Sequence, residues 1–284
     1  LTDRRLPWLV FTLALALRLS YVVEIDKSPL FAHPVVDSET YVAHAQRLAE
    51  GNWLGMGEGP FWQAPLYPYF LGVIKALFDD SFFPVARLVQ ALMGACVCAM
   101  ALWVGRYMFG AAVGLIGGLA AALYGPLIFF DGELLPASLA AFVDLLALVL
   151  LLRAWRRPTW GGFLVAGMVF GLGVLAVPTV LMFVMMVPID LLRRFPHRQG
   201  LGFVLVFVLG VALPIAPVAA RNTAIGGDSV MISYNMGVNF YIGNNAAYDE
   251  TVAVRPGWEW DELVTRPTRS GVTRPSKKSA YFMD

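Results

Sequence analysis

GFVLVFVLGVALPIAPVAAR occupies residues 202–221 and contains no charged residue before its final arginine. An apolar run of about 20 residues is long enough for a helix to cross the hydrocarbon core of a bilayer. Comparable runs recur along the chain, and the full set of candidate spans is 7–23, 84–105, 111–130, 134–152, 161–176, 179–192 and 202–219. The sequence therefore predicts an all-α polytopic membrane protein with about seven transmembrane helices.

The composition supports this fold class. Of 284 residues, 58% are hydrophobic and 14% are charged, with a mean hydropathy of +0.65. Soluble domains are about one quarter charged, so a soluble globular protein is excluded. The formal net charge of +1 provides no basic field for nucleic acid. Two cysteines cannot form a disulfide framework.

The distribution of charge predicts the orientation in the membrane. One set of loop ends carries nine basic residues and two acids, the basic ones being Arg4, Arg5, Arg106, Arg153, Arg156, Arg157, Arg193, Arg194 and Arg198. The opposite ends, 24–83 and 129–136, carry three basic residues and ten acids. Because excess Lys and Arg mark the cytoplasmic side, we expect a cytoplasmic N-terminus in a bacterial inner membrane. Both acidic segments and the tail from Arg221 are then extracytoplasmic.

The first outer loop contains two segments with helical patterning. Residues 38–50 place Tyr41, Ala45 and Leu48 at helical spacing, which predicts an amphipathic helix on the outer membrane surface. Residues 66–78 are apolar but too short to span, which indicates a re-entrant or interfacial helix.

The C-terminal part differs in kind from the predicted transmembrane domain, residues 1–220. Residues 221–284 contain seven basic and seven acidic residues and no spanning run. The Gly- and Asn-rich stretch 233–245 predicts short strands and turns. We therefore expect a small irregular or mixed extracytoplasmic segment, and we interpret the chain as a truncated form of a longer protein.

Acidic residues near the predicted outer face are the candidate chemical groups. Asp37 is either an N-cap of the amphipathic helix or a carboxylate that meets a lipid-linked substrate. Asp131 and Glu133 belong either to a simple link between helices or to a second part of the same site. Asp144 lies within a span, where charge is costly; we expect it to pair with Arg18 or Arg87, or to line a polar cavity.

The chain resembles the GT-C class of integral-membrane glycosyltransferases, in the protein-mannosyltransferase-like branch (glycosyltransferase family 39). The matching segments are ALALRLSY (14–21), VVDSETYVAHAQRLAEGNWLG (35–55), FWQAPLYPYFLGVIKALF (61–78), ARLVQALMGACVCAMALWVGRYMFG (86–110), ALYGPLIFFDGELLPASLA (122–140) and RNTAIGGDSVMISYNMGVNFYIGNN (221–245). The resemblance implies a polyprenyl-phosphate-linked sugar donor and transfer on the outer side of the membrane. It also implies that Asp37 is the catalytic acid and that Asp131 or Glu133 is the second acidic position. Many relatives carry Arg-Pro where this chain has Val177-Pro178.

The chemistry of sugar transfer is consistent with the role that the resemblance implies for Asp37. A lipid phosphate is a good leaving group, since its second pKa is near 6. One carboxylate, Asp37, then suffices as general base, and a single displacement inverts the anomeric carbon. Positive charge for the phosphate is expected from Arg221, Arg87 or Lys75, each of which could instead anchor the protein at lipid headgroups. No metal-ligand motif occurs, so no cofactor is required, although a divalent metal is an alternative source of charge.

Two other function classes compete with a glycosyltransferase. A transporter or flippase-like permease would place polar sites near the membrane midplane and often contains internal repeats. The polar residues of this chain instead gather in the predicted outer loops, which favours the enzyme. A truncated, non-catalytic membrane protein is the third alternative. The sequence does not identify the transferred sugar, and a protein, a lipid and a glycan are all possible acceptors.

Overall fold

The computed structural model describes residues 5–283, and helices are the regular structure of that range, which contains no β-strand. The chain divides into two compact units. The first consists of the residues up to Gly51 together with Leu66–Pro214, and the second consists of Asn52–Pro65 and the residues from Ile215 onward. Asp3 and Arg4, which contribute to the predicted topology, lie outside the described residues.

The helices follow one another with short connections. They are α1 (Leu6–Ile25), α2 (Asp37–Ala49), α3 (Leu66–Leu77), α4 (Phe82–Phe109), α5 (Ala111–Leu123), α6 (Gly125–Gly132), α7 (Ala137–Arg156), α8 (Trp160–Ala176), α9 (Leu181–Val184), α10 (Met186–Arg194), α11 (His197–Ala224), α12 (Met236–Gly243), α13 (Tyr248–Thr251), α14 (Trp258–Arg269) and α15 (Pro275–Tyr281). Helix α11 continues from the first unit into the second.

Four helices in the described range are long and apolar enough to cross a membrane: Leu6–Ile25, Asp79–Phe109, Ala137–Arg156 and His197–Ala224. Helices α5 and α6 would together form a fifth span, bent by 50° at their junction. The all-α polytopic fold is thus confirmed, whereas a count of seven spans is not.

The two remaining predicted spans are not among these candidates. The run at 161–176 forms α8, whose 17 residues make it a short apolar helix. The run at 179–192 is not one helix, because the chain there forms a 3-10 turn, α9 and α10 in succession. Pro178 supplies no N–H for a continuous helix, and it begins the turn at this point.

The first unit is organised around α4, which packs against α1, α5 and α7. Glycines allow close approach at the neighbouring α8–α11 contact. A Cβ atom added to Gly167 would lie 3.1 Å from the Cα atom of Gly210, so the two backbones meet without intervening side chains. Small residues are the usual means of packing helices within a membrane.

Both helices predicted in the first outer loop are confirmed. In α2, Tyr41, Ala45 and Leu48 are buried on one face, and this face packs against α3. Leu48 lies directly over Gly72 of α3, where an added Cβ atom would come within 2.8 Å of its side chain. The pair of helices shares a core with residues of α4 and α7, among them Phe82 and Val143.

The second unit corrects the expectation of short strands in residues 233–245, because Met236–Gly243 form helix α12. Val238, Tyr241 and Ile242 are spaced three and four residues apart, and they pack with Leu263 and Phe282 of the same unit. This helical periodicity outweighs the turn preference of the flanking Gly and Asn residues.

Candidate functional site

Asp37 is the first residue of α2 and is exposed. It is not the N-cap, because that position belongs to Val36 and no side chain caps the helix. Within residues 5–283, the Asp37 carboxylate has neither a hydrogen bond nor an ion pair in the structure. A carboxylate at the start of a helix is favoured by the helix dipole, and the Asp37 side chain is accessible at this position.

The backbone immediately before Asp37 is strained. Val36 has φ 58° and ψ −127°, and it is the one non-glycine residue with positive φ in the described range. Positive φ in a β-branched residue is a true outlier, and such strain of about 1–3 kcal/mol clusters at functional sites. The strained residue directly precedes Asp37, the first residue of α2.

A chain of contacts leads from α2 to the segment that carries Asp131 and Glu133. The rings of Tyr41 and Tyr67 meet edge to face with centroids 5.0 Å apart. The Tyr67 hydroxyl donates a hydrogen bond to Gln90 Oε1 at 2.7 Å. Gln90 Nε2 in turn donates to the carbonyl oxygens of Asp131 (3.0 Å) and Glu133 (2.7 Å).

The pKa values of both tyrosines reflect this packing. Burial raises the pKa of Tyr41 to about 12, and the nearby charge of Asp37 adds to the shift. Burial also raises the pKa of Tyr67 well above 10, with contributions from Tyr41 and Glu133. Both hydroxyls therefore stay protonated at neutral pH, and Tyr67 acts as a hydrogen-bond donor to Gln90.

Helix α6 ends in a segment that two other side chains, Arg87 and Ser138, also hold. Arg87 Nε donates to the carbonyl oxygen of Gly132 at 2.7 Å, and its guanidinium stacks 3.9 Å from the ring centroid of Phe31. The Ser138 hydroxyl donates to the carbonyl oxygen of Phe130 at 3.1 Å. We name residues 130–133, with these carbonyl contacts, the acidic turn.

Asp131 and Glu133 occupy different environments within the acidic turn. Asp131 is 4% exposed and accepts a 2.6 Å hydrogen bond from Arg18 Nε, which forms a buried ion pair between α1 and α6. Glu133 is half-buried. Thus Asp131 is neutralised inside the helix bundle, whereas the carboxylate of Glu133 is partly accessible.

The expected pairing of Asp144 is wrong. Arg18 pairs with Asp131, and Arg87 donates to backbone carbonyls. Asp144 Oδ1 is buried without a hydrogen-bond partner in residues 5–283 and lies against Gly173 of α8. The pairing partner differs because α6, and not α7, brings an acid beside Arg18.

Lys75 and Arg221, two predicted phosphate ligands, are engaged by other groups. Lys75 Nζ forms an ion pair with Asp79 one helical turn away, and lies 5.4 Å from the ring centroid of Phe82. Arg221 is 8% exposed and belongs to the second unit. Its guanidinium donates to the carbonyl oxygens of Leu54, Gly55 and Gly59 and to Asn222 Oδ1.

Arg221 and Asn222 together organise the second unit. Asn222 is fully buried, accepts a hydrogen bond from the Phe61 N–H, and donates to the carbonyl oxygens of Val230 and Ile232. The adjacent pair therefore fixes two loops at once. In the described range no group of three or more His, Cys, Asp or Glu side chains could hold a metal ion.

Sequence reasoning did not identify Gln90, Tyr67 and Arg18 as organisers of the acidic turn. Gln90 and Arg18 carry a detectable signal, since polar groups inside apolar helices are costly and usually functional. Tyr67 carries none, because an aromatic residue in an apolar helix is unremarkable until its hydroxyl has a partner.

The arrangement thus defines a helical membrane protein in which the exposed Asp37 begins α2 and the half-buried Glu133 lies beside a buried polar network. The family model for dolichyl-phosphate-mannose-protein mannosyltransferase matches residues 62–220, more than half of the chain. The chain belongs to this family and is a membrane glycosyltransferase of the GT-C, mannosyltransferase-like type. No curated protein and no solved structure matches it significantly.

Proposed function

We propose that this protein transfers a sugar from a polyprenyl-phosphate-linked donor to an acceptor hydroxyl on the extracytoplasmic side of the membrane, with Asp37 as the general base. The family supports a glycosyltransferase, and the proposal leaves a protein, a lipid or a glycan as the acceptor. The gathering of acids in the segments 24–83 and 129–136, against basic residues at the opposite loop ends, supports the extracytoplasmic location.

The observation that carries this proposal is the state of Asp37. It is exposed, has no ion-pair partner in residues 5–283, and follows the strained backbone of Val36. A general base needs a carboxylate that is ionised and free to accept a proton. Asp131 does not meet this requirement, because Arg18 already neutralises it in a buried pair.

The reaction is a single displacement. The acceptor oxygen forms a bond to the anomeric carbon while the bond from that carbon to the phosphate oxygen breaks. The electron pair of the broken bond leaves on the polyprenyl phosphate, and the acceptor proton passes to the Asp37 carboxylate. Attack from the face opposite the leaving phosphate inverts the anomeric centre.

Glu133 is the second acid of the proposed site. Its backbone is fixed by Gln90, and its side chain is partly accessible. A carboxylate in this position can accept hydrogen bonds from sugar hydroxyl groups. Asp131 has a different role: it pairs with Arg18 and thereby holds the turn that positions Glu133.

Arg87 is the cation best suited to the donor phosphate. Its Nε and Nη1 atoms donate to carbonyl oxygens, whereas no described residue accepts a hydrogen bond from Nη2. Charge on the phosphate grows as its bond to the sugar breaks, so a guanidinium there stabilises the transition state. Lys75 is paired with Asp79, and the contacts of Arg221 are all within its own unit.

The test is a transfer assay with the protein in liposomes, a panel of polyprenyl-phosphate sugars, and peptide, lipid and glycan acceptors. Asp37→Asn is compared with Glu39→Gln, which changes an exposed acid two residues along the same helix. General-base catalysis contributes about 10²–10⁴-fold. We therefore expect Asp37→Asn to lower kcat by that factor and Glu39→Gln to leave it nearly unchanged.

Thermal unfolding of both variants in detergent provides the folding control. Equal melting temperatures with loss of transfer in Asp37→Asn alone would support the proposal. Undiminished turnover in Asp37→Asn would remove this residue from the catalytic role. Donor consumption that produces no glycosylated acceptor with any member of the panel would contradict the transferase proposal itself.

A further inference from the structure

A cavity of about 710 Å³ lies where α7 ends and α8 begins. Its lining includes Trp103 of α4, Arg153 and Arg156 of α7, Arg157, Thr159 and Gly161. Sites for small molecules usually measure about 300–1,000 Å³. The cavity is therefore large enough to hold a headgroup, and its polar lining is dominated by arginine.

Two of these arginines rest on an aromatic platform. The rings of Trp103 and Tyr107 stack with centroids 5.4 Å apart and planes 6° apart. The guanidinium carbon of Arg153 lies 5.5 Å from the centroid of Trp103, and that of Arg156 lies 4.6 Å from the centroid of Tyr107. Stacking on an aromatic face orders a guanidinium and leaves its N–H edge available to an anion.

A second cavity of about 410 Å³ adjoins the first and shares Trp103 and Arg156 with it. It adds Arg106 and Tyr107 to the lining. Across residues 5–283, Arg106, Arg153, Arg156 and Arg157 form no ion pair with an acid. Four guanidinium groups thus gather around adjoining cavities without a counter-charge from the described protein.

This site is distinct from the proposed catalytic one. Arg87 and Trp103 are separated by 16 positions of α4, which places them about 24 Å apart along the helix axis. The excess of arginine on the predicted cytoplasmic face explains the positive charge around the cavity. It does not explain why a cavity and an aromatic platform occur beside these arginines. Arg193 and Arg198 belong to the same predicted face and line neither cavity.

We propose that this arginine- and aromatic-lined cavity binds the phosphate group of an anionic lipid headgroup from the adjacent leaflet. Basic pockets between transmembrane helices bind phosphate-bearing headgroups in this way. The guanidinium groups of Arg153 and Arg156 donate to the phosphate oxygens, and the apolar surface of the neighbouring helices contacts the acyl chains. Free inorganic phosphate shares the same recognition chemistry.

The experiment measures lipid retention by native mass spectrometry after titration of the full chain with phosphatidylglycerol or with zwitterionic phosphatidylcholine. Arg153→Gln/Arg156→Gln removes two cavity charges, and Arg193→Gln/Arg198→Gln removes two from outside the cavities. Each basic residue near an anionic surface contributes about fivefold to binding. We expect the first variant to lose phosphatidylglycerol affinity by about 25-fold, and the second to change it less than about twofold.

A third variant, Tyr107→Leu, keeps every charge and removes the platform beneath Arg156. Since a cation–π contact contributes about 0.5–1 kcal/mol, affinity is expected to fall about two- to fivefold. Competition by millimolar inorganic phosphate separates the two sources: full displacement of the lipid assigns the site to free phosphate, and retention assigns it to the headgroup. Melting temperatures in neutral detergent verify folding.

The proposal is overturned if both double variants weaken lipid binding equally, since the attraction would then be diffuse. An unchanged affinity in Tyr107→Leu would also overturn it, because no formed site would be present. Equal retention of phosphatidylcholine and phosphatidylglycerol by the unaltered protein would exclude recognition of the anionic group.

Discussion

The side-chain amide of Gln90 donates a hydrogen bond to the backbone carbonyl oxygen of Glu133 over 2.7 Å. The same nitrogen donates to the carbonyl oxygen of Asp131, and Gln90 Oε1 accepts from Tyr67. One fully buried side chain in α4 therefore satisfies two carbonyl groups of the acidic turn and ties this turn to α3.

Replacement of Gln90 by Leu is expected to destabilise the first unit and to impair transfer. A buried polar group left without its partner costs about 1–3 kcal/mol, and this change affects two carbonyl groups and the Tyr67 hydroxyl. Thermal unfolding in detergent measures the loss. Gln46→Leu is the matched control, because Gln46 is exposed on α2 and bonds to Glu50 near solvent. Equal melting temperatures for the two variants would contradict a role for Gln90.

The Arg18–Asp131 ion pair gives a second prediction. Removing one member of a buried pair costs about 3–5 kcal/mol, whereas replacing both with apolar residues is often neutral. We therefore expect Arg18→Leu and Asp131→Leu each to lower the melting temperature and yield strongly, and the double variant to recover much of the loss. A double variant that loses the sum of both single effects would show that the two residues do not interact.

The helical architecture was predictable because its signals are local. Apolar runs and the periodicity of Tyr41, Ala45 and Leu48 predicted α2 and α3 to within about two residues, as expected for strong patterns. The Arg18–Asp131 pair was not predictable, since it joins positions 113 residues apart. Neither local charge nor spacing indicates which helices become neighbours. From the sequence alone, Asp144 was therefore as plausible a partner for Arg18 as Asp131.

For the candidate site, sequence reasoning identified the exposed acid but not its support. Asp37 was found from its place before an amphipathic pattern. The positive φ of Val36 is a property of the folded backbone, and the amino-acid composition of this segment does not predict it. Asp131 and Glu133 could not be distinguished, because their difference lies in burial and partners. Asp131 is buried beside Arg18, whereas Glu133 is half-buried.

The pKa of Tyr41 provides a prediction of pH dependence. Burial raises this pKa from 10.0 to about 12, so the folded state favours the neutral hydroxyl. The resulting stabilisation is fully present below pH 10 and is lost as pH rises towards 12. Phenolate absorbance of the unaltered protein minus that of Tyr41→Phe should show a midpoint near 12. Asp37→Asn should lower it slightly, and a midpoint near 10 would contradict burial of the hydroxyl.

Two glycines of the 52–65 loop provide a matched test of the Arg221 contacts. Gly55 has φ +62°, and a Cβ atom there would collide with Arg221 Nη2. Gly57 has φ +82° with no atom within 4 Å of an added Cβ. Backbone strain of about 1–2 kcal/mol affects both Ala variants. Gly55→Ala should lose further stability and expose this loop to limited proteolysis, and identical behaviour of both variants would contradict the Arg221 contacts.

Relief of the strain at Val36 should separate stability from activity. Val36 has φ 58°, a conformation that glycine adopts without steric cost, so Val36→Gly should raise the melting temperature despite the greater chain entropy of glycine. If Asp37 is the base, looser entry into α2 should lower kcat, because catalysis depends on fixed geometry. Val35→Gly is the control: Val35 is exposed and lacks positive φ, so glycine there should lower stability. A lower melting temperature in Val36→Gly would show that the backbone at this position is not strained. Unchanged kcat would show that the strain does not serve Asp37.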